Sequence, residues 1–111
     1  MTGKEYQEKA ARTINKNLSL MEQRNHALFG LAGEVGEILS LYQKEYQGHG
    51  TPDREHIIKE CGDCAWMLAE LLTSQGISLD EVFETNIDKL MKRYPEGFDA
   101  EHSLHRKNGD I

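Results

Sequence analysis

Three times this chain sets Ser or Thr three places ahead of Glu at the head of an amphipathic stretch: Thr2 with Glu5, Ser19 with Glu22, and Ser78 with Glu81. Pairs at this spacing satisfy each other's orphan backbone donors at a helix N-terminus, so each predicts a helix start. Thr51 followed by Pro52 predicts one more, because the missing proline N–H does no harm in the first helical turn. The stops are as plain: GHGTPD after Gln47, Gly76, and Pro95, which forbids continuation. No stretch alternates apolar and polar residues long enough for a strand. The expected fold is all-α, a bundle of about four helices over residues 3–14, 19–47, 51–74 and 78–94. The domain is read as residues 1–98, followed by a polar tail, 99–111, expected to be a loop or an extended arm.

The second of these helices contains GLAGEVGEILSLY, residues 30–42, with glycines at 30, 33 and 36. Each interior glycine costs a helix about 1 kcal/mol relative to alanine, so the segment has to gain something in return. Glu34 and Glu37 lie among the glycines one turn apart, and the third helix repeats the device. Glu34-Val35-Gly36-Glu37 and Glu60-Cys61-Gly62-Asp63 share the order acid, apolar, Gly, acid. At 100° per residue the second helix has an apolar stripe through Leu31, Val35, Ile38 and Tyr42, and the third has one through Ile57, Cys61, Cys64, Leu68 and Leu72. Both acid pairs hold the same offset from their stripe. If the stripes pack, four carboxylates border one seam, where they must take up protons or a cation. All-oxygen donors suit Mg²⁺ or Mn²⁺. A single acid pair at this spacing is ordinarily a solvated helix face; the duplication is what points to a metal.

The fourth helix carries an apolar stripe of Leu79, Phe83, Ile87, Leu90, Met91 and Tyr94, with Asn86, Lys89 and Arg93 down one flank. Alone, such a flank is a row of snorkelling cations. Opposite a metal-bearing acid cluster it has the chemistry to hold a polyphosphate, with the cations on phosphate oxygens and the amide as positioner. His26, ahead of the glycine stretch, is a candidate contact to the rest of such a ligand, or else a helix-surface residue.

Composition narrows the partners. The 111 residues carry a formal charge of −6, which argues against non-specific nucleic-acid binding or an anionic membrane surface. No apolar run is long enough to span a membrane, and no signal-peptide core opens the chain, so a soluble cytoplasmic protein is expected. Cys61 and Cys64 read as reduced structural thiols inside a helix, not as a redox or zinc pair. A di-iron bundle would want Glu-x-x-His, and neither acid motif has the histidine. The third helix is apolar on more than one face, and Trp66 is read as a subunit contact in a homo-oligomer.

Glu34-x-x-Glu37, Glu60-x-x-Asp63 and the later Asn86 and Lys89 together resemble the all-α nucleoside triphosphate pyrophosphohydrolase superfamily. Within it the chain is most similar to the MazG-like nucleotide pyrophosphohydrolases. GLAGEVGE, KECGDCAWMLAEL and GISLDEVFETNIDKLMKRYPEGF extend the likeness over residues 6–98. The resemblance implies hydrolysis of a nucleoside or deoxynucleoside triphosphate to a monophosphate and pyrophosphate. It implies Glu34, Glu37, Glu60 and Asp63 as catalytic Mg²⁺ ligands, with Asn86, Lys89 and Arg93 on the phosphates. It also implies a homodimer or homotetramer. A dUTP- or dCTP-specific enzyme, a phosphoribosyl-ATP pyrophosphohydrolase and a non-catalytic nucleotide- or protein-binding bundle are the alternatives that remain open.

Overall fold

The computed structural model describes all 111 residues, and its regular elements are all helices. Helix α1 spans Gly3–Ala10 and tightens into a 3₁₀ turn at Ala11–Thr13; α2 spans Leu20–Gln43 with a 3₁₀ extension over Lys44–Gln47. Helix α3 spans Arg54–Ser74, α4 Leu79–Arg93 and the short α5 Ala100–Leu104. The expected all-α architecture with four principal helices is the one observed. No helix is long and apolar enough to cross a membrane.

The helix starts are where the sequence places them, with one exception. Thr2 and Glu5 form a reciprocal capping box, as do Ser19 and Glu22. Ser78 Oγ accepts the Glu81 N–H at 3.1 Å. Helix α3 instead starts after Asp53, two residues later than Thr51 and Pro52 predicted, and Asp53 makes no side-chain capping bond. The chain beyond Pro95, expected to lack structure, forms α5 and folds back towards α4. Asp99 caps this short helix by accepting the Glu101 N–H at 2.8 Å.

Helices α2 and α3 pack along their length as an antiparallel hairpin, and this hairpin is the body of the molecule. Helix α1 crosses its end and fastens the turn into α4. Gly76 adopts a left-handed φ of 68° in that turn, which a β-carbon would strain. The Asp80 carboxylate then accepts the Gly3 and Lys4 N–H groups at 3.0 and 3.1 Å, closing the N-terminus of α1. Gln7 donates to the Ile77 carbonyl at 3.0 Å and accepts the Leu79 N–H at 2.7 Å. Under these bonds lies a small core of Ala69, Leu72 and Leu79, flanked by Tyr6, Ala10, Leu68 and Val82.

Beyond Val82, α4 leaves this core. Of its predicted apolar stripe only Leu79 is buried; Phe83, Ile87 and Met91 are exposed, as are Leu28, Val35 and Leu39 on α2. The radius of gyration is 17.4 Å, against about 13 Å for a close-packed chain of this length. Helix α4 therefore projects from the hairpin with its apolar face bare.

Candidate metal and nucleotide site

The α2–α3 hairpin brings three of the four predicted carboxylates together. Glu34 on α2 and Glu60 and Asp63 on α3 each present an oxygen, and these oxygens lie within 4.8 Å of one another. Glu34 and Glu60 are half-buried and Asp63 is exposed. Glu37 stands outside the triad, exposed one turn further along α2, but its charge still acts on Glu34. The Glu34 carboxyl is held above the ordinary carboxylate range, first by burial, then by the charges of Asp63, Glu60 and Glu37.

No Lys or Arg pairs with any of these acids. Glu60 alone has a partner, His56 Nε2 at 3.2 Å, one helical turn away. The i, i+4 spacing of His56 to Glu60 is the sequence signal for this pair. The acid field reaches further. Burial and then the charges of Cys61, Glu34, Asp63 and Glu60 push up the Cys64 thiol, which keeps it protonated. Tyr6 reaches from α1 towards the cluster, and its hydroxyl is raised by burial and by Asp63. A converging all-oxygen donor set without a cationic neighbour is what a hard divalent cation requires.

His26 lies two turns before Glu34 on α2, and Glu70 two turns after Asp63 on α3. Because the helices are antiparallel, both lie in the same direction from the acids, about 12 Å away by helical rise. His26 Nδ1 meets Glu70 Oε1 at 2.6 Å. The Glu70 side chain is only 1% exposed, and its Oε2 has no partner. The His26 ring stands edge-on to Trp66 at 6.3 Å, and Trp66 Nε1 donates to Thr13 Oγ1 at 2.8 Å. Trp66 is thus tied within its own chain to Thr13 and His26, while its indole stays partly exposed. Sequence reasoning passed over Glu70; the acid interrupting AWMLAELL was the available sign.

Asn86, Lys89 and Arg93 lie on the projecting part of α4. Asn86 and Lys89 border an open hollow with Ile77, Glu81 and Val82. Arg93 is turned to the C-terminal segment, where Nε and Nη2 donate to the Asp110 carboxylate at 2.8 and 2.7 Å. Within one chain these residues are not assembled with the acid triad.

The profile of the MazG nucleotide pyrophosphohydrolase domain matches residues 22–98, a span that holds all four acids, His26 and the α4 flank. The chain belongs to the MazG nucleotide pyrophosphohydrolase domain family. It is 31% identical over 81 residues to the Gene 37 protein of Mycobacterium phage L5, an alignment covering 69% of this chain and 71% of the phage protein. No solved structure matches it.

Proposed function

We propose that this protein hydrolyses nucleoside or deoxynucleoside triphosphates to a monophosphate and pyrophosphate, with a divalent cation, Mg²⁺ or Mn²⁺, held by Glu34, Glu60 and Asp63. The observation that carries the reading is the convergence of those three carboxylates from two helices with no Lys or Arg to neutralise them. A divalent cation there would supply charge neutralisation on the phosphates and activation of water. Glu37, exposed beside the triad, is placed to join the ligands or to orient the attacking water. The His26, Trp66 and Glu70 group, about 12 Å along the seam, suits the nucleoside end of the ligand. His26 can present Nε2 outward because Glu70 fixes its other nitrogen.

Asn86 and Lys89 would reach the phosphates from a second copy of the chain. Helix α4 projects from its own hairpin with a bare apolar face, and α2 leaves apolar residues exposed near the acids. The basic flank of α4 complements the acid edge of a neighbouring hairpin in charge. A homodimer or homotetramer would bury these faces and complete each site.

The test is direct. Purified protein is incubated with each NTP and dNTP plus Mg²⁺, and pyrophosphate and monophosphate are quantified. Release of both from at least one triphosphate, abolished by EDTA, is expected. Absence of release from every triphosphate overturns the enzyme in favour of a binding bundle.

A further inference from the structure

At the far end of α4, away from the acids, a cavity of about 380 Å³ opens between this helix and the folded-back C-terminal segment. Its charge is opposite to that of the metal site. Lys89, Lys92, Arg93, Arg106 and Lys107 all border it, in a chain whose formal charge is −6. Lys92 pairs with Asp88 at 3.0 Å on the helix surface. Lys89, Arg106 and Lys107 form no ion pair. So many cations around one cavity repel one another unless an anion sits among them.

The chain supplies that anion itself. Asp110 takes both ends of the Arg93 fork, and the Arg93 side chain is only 9% exposed. The guanidinium is held flat and pre-oriented, the geometry in which arginine recognises phosphate as readily as carboxylate. Arg106 and Lys89 add their fields to the same Asp110 carboxylate, whose pKa is lowered chiefly by the Arg93 hydrogen bonds.

The geometry points to a second anion site, in which a diphosphate or triphosphate group, free or on a nucleotide, binds Arg93, Arg106 and Lys107 and displaces Asp110. The charge matches: once Asp110 leaves, three cations face the cavity and Lys89 stands at its rim, which suits a polyphosphate better than a monoanion. The C-terminal segment walls one side of the half-open cavity, whose size suits a compact group better than a polymer strand. The inference shares with the proposed function only the assignment of Lys89 to phosphate oxygens, and with the family resemblance that of Arg93. It needs neither metal nor turnover.

The test is calorimetric titration of the full chain with inorganic pyrophosphate, ATP and AMP, all in EDTA so that metal-assisted binding is absent. Saturable binding of pyrophosphate and ATP is expected, with AMP at least about tenfold weaker. Arg106→Ala and Lys107→Ala should each weaken pyrophosphate about fivefold, whereas Asp110→Asn should strengthen it by a similar factor, since each removes or frees about one charge-assisted contact. Circular dichroism verifies that each variant is folded. Absence of saturable binding, affinity indifferent to Arg106, Lys107 and Asp110, or displacement of pyrophosphate by a single-stranded oligonucleotide at lower concentration overturns the site. A failure of triphosphate hydrolysis leaves this metal-free measurement unaffected, so the two ideas fall separately.

Discussion

Gly30 on α2 and Met67 on α3 interlock: a β-carbon at position 30 would run into the Met67 thioether. This contact lies between the acid triad and the His26–Glu70 pair, and it falls on the flexible end of the Met67 side chain. Gly30→Ile should force the seam apart and destabilise the fold by about 1–3 kcal/mol, the usual cost of overpacking. Adding Met67→Ala makes room and should recover part of that loss. Urea denaturation of the two single variants and the double variant measures the coupling.

The acid triad should be a stability liability until a cation fills it. Glu34 has its pKa raised in the folded state, so its favourable contribution is present below the unfolded value and is lost as pH rises through the folded one. At neutral pH the crowded carboxylates therefore oppose folding. Glu34→Gln is expected to raise the thermal midpoint in EDTA and to abolish the further rise that Mg²⁺ gives the wild type. The stabilisation behind that rise should approach about 2–3 kcal/mol when Mg²⁺ exceeds its Kd a hundredfold. Differential scanning with and without metal gives both values; a Mg²⁺ shift retained in Glu34→Gln removes this residue from the ligand set.

If Asn86 and Lys89 serve the acids of another copy, two inactive variants should rescue each other. Asp63→Asn and Lys89→Ala are each expected to lose at least about a hundredfold in kcat/KM, a loss typical of removing a metal ligand or a charged clamp. Mixed after gentle dissociation, random dimers would contain about one intact site in four, and about a quarter of wild-type activity should return. No recovery in mixtures proven to exchange subunits would place acids and Lys89 of each site on the same chain. Sedimentation of the wild type gives the oligomeric state independently.

Much of the architecture was written in local chemistry. Capping pairs act over three residues and apolar stripes over one helix, so the starts of α1, α2 and α4 and the convergence of Glu34 with Glu60 and Asp63 could be anticipated. What the sequence hid depends on contacts between distant segments. A stripe does not say what covers it, and the α4 stripe from Phe83 to Met91 carries no sign that α4 leaves the hairpin. Trp66 looked like surplus apolar surface, yet a bond to Thr13, far off in sequence, holds it within the chain. The glycines divide likewise. Gly30 is needed for Met67, while Gly33, Gly36 and Gly62 have open space where a β-carbon would stand. Nothing within one chain requires these three positions to lack a β-carbon.

Glu70 is buried almost completely with one oxygen on His26 and the other unpartnered. His26→Ala should therefore destabilise the protein by about 1–3 kcal/mol, because it leaves a buried acceptor group with no donor. Replacing the acid as well, in His26→Ala with Glu70→Met, removes that penalty and should restore most of the stability. Thermal denaturation of the wild type and these two variants decides the matter: equal losses in the single and double variants would show that His26 acts through packing on Trp66 instead.

The Arg93–Asp110 pair gives the C-terminal segment a defined acid limit. In an unfolded chain an aspartate titrates near about 3.9. In the folded protein the Arg93 hydrogen bonds lower the Asp110 pKa, so below that value the unfolded state takes up a proton before the folded one does. The stabilisation is fully present above about pH 3.9 and is lost as pH falls through the folded pKa. A carboxyl-carbon NMR titration should therefore give Asp110 a midpoint below about 3.9. Amide exchange across residues 108–111 should accelerate over the same interval, while α2 and α3 stay protected. Asp110→Asn should reproduce the fast exchange at neutral pH, because the neutral amide cannot form the two-pronged ionic bond to Arg93. A midpoint at or above the unfolded value, or tail exchange that ignores Asp110→Asn, would show that the segment is held to α4 by something other than this pair.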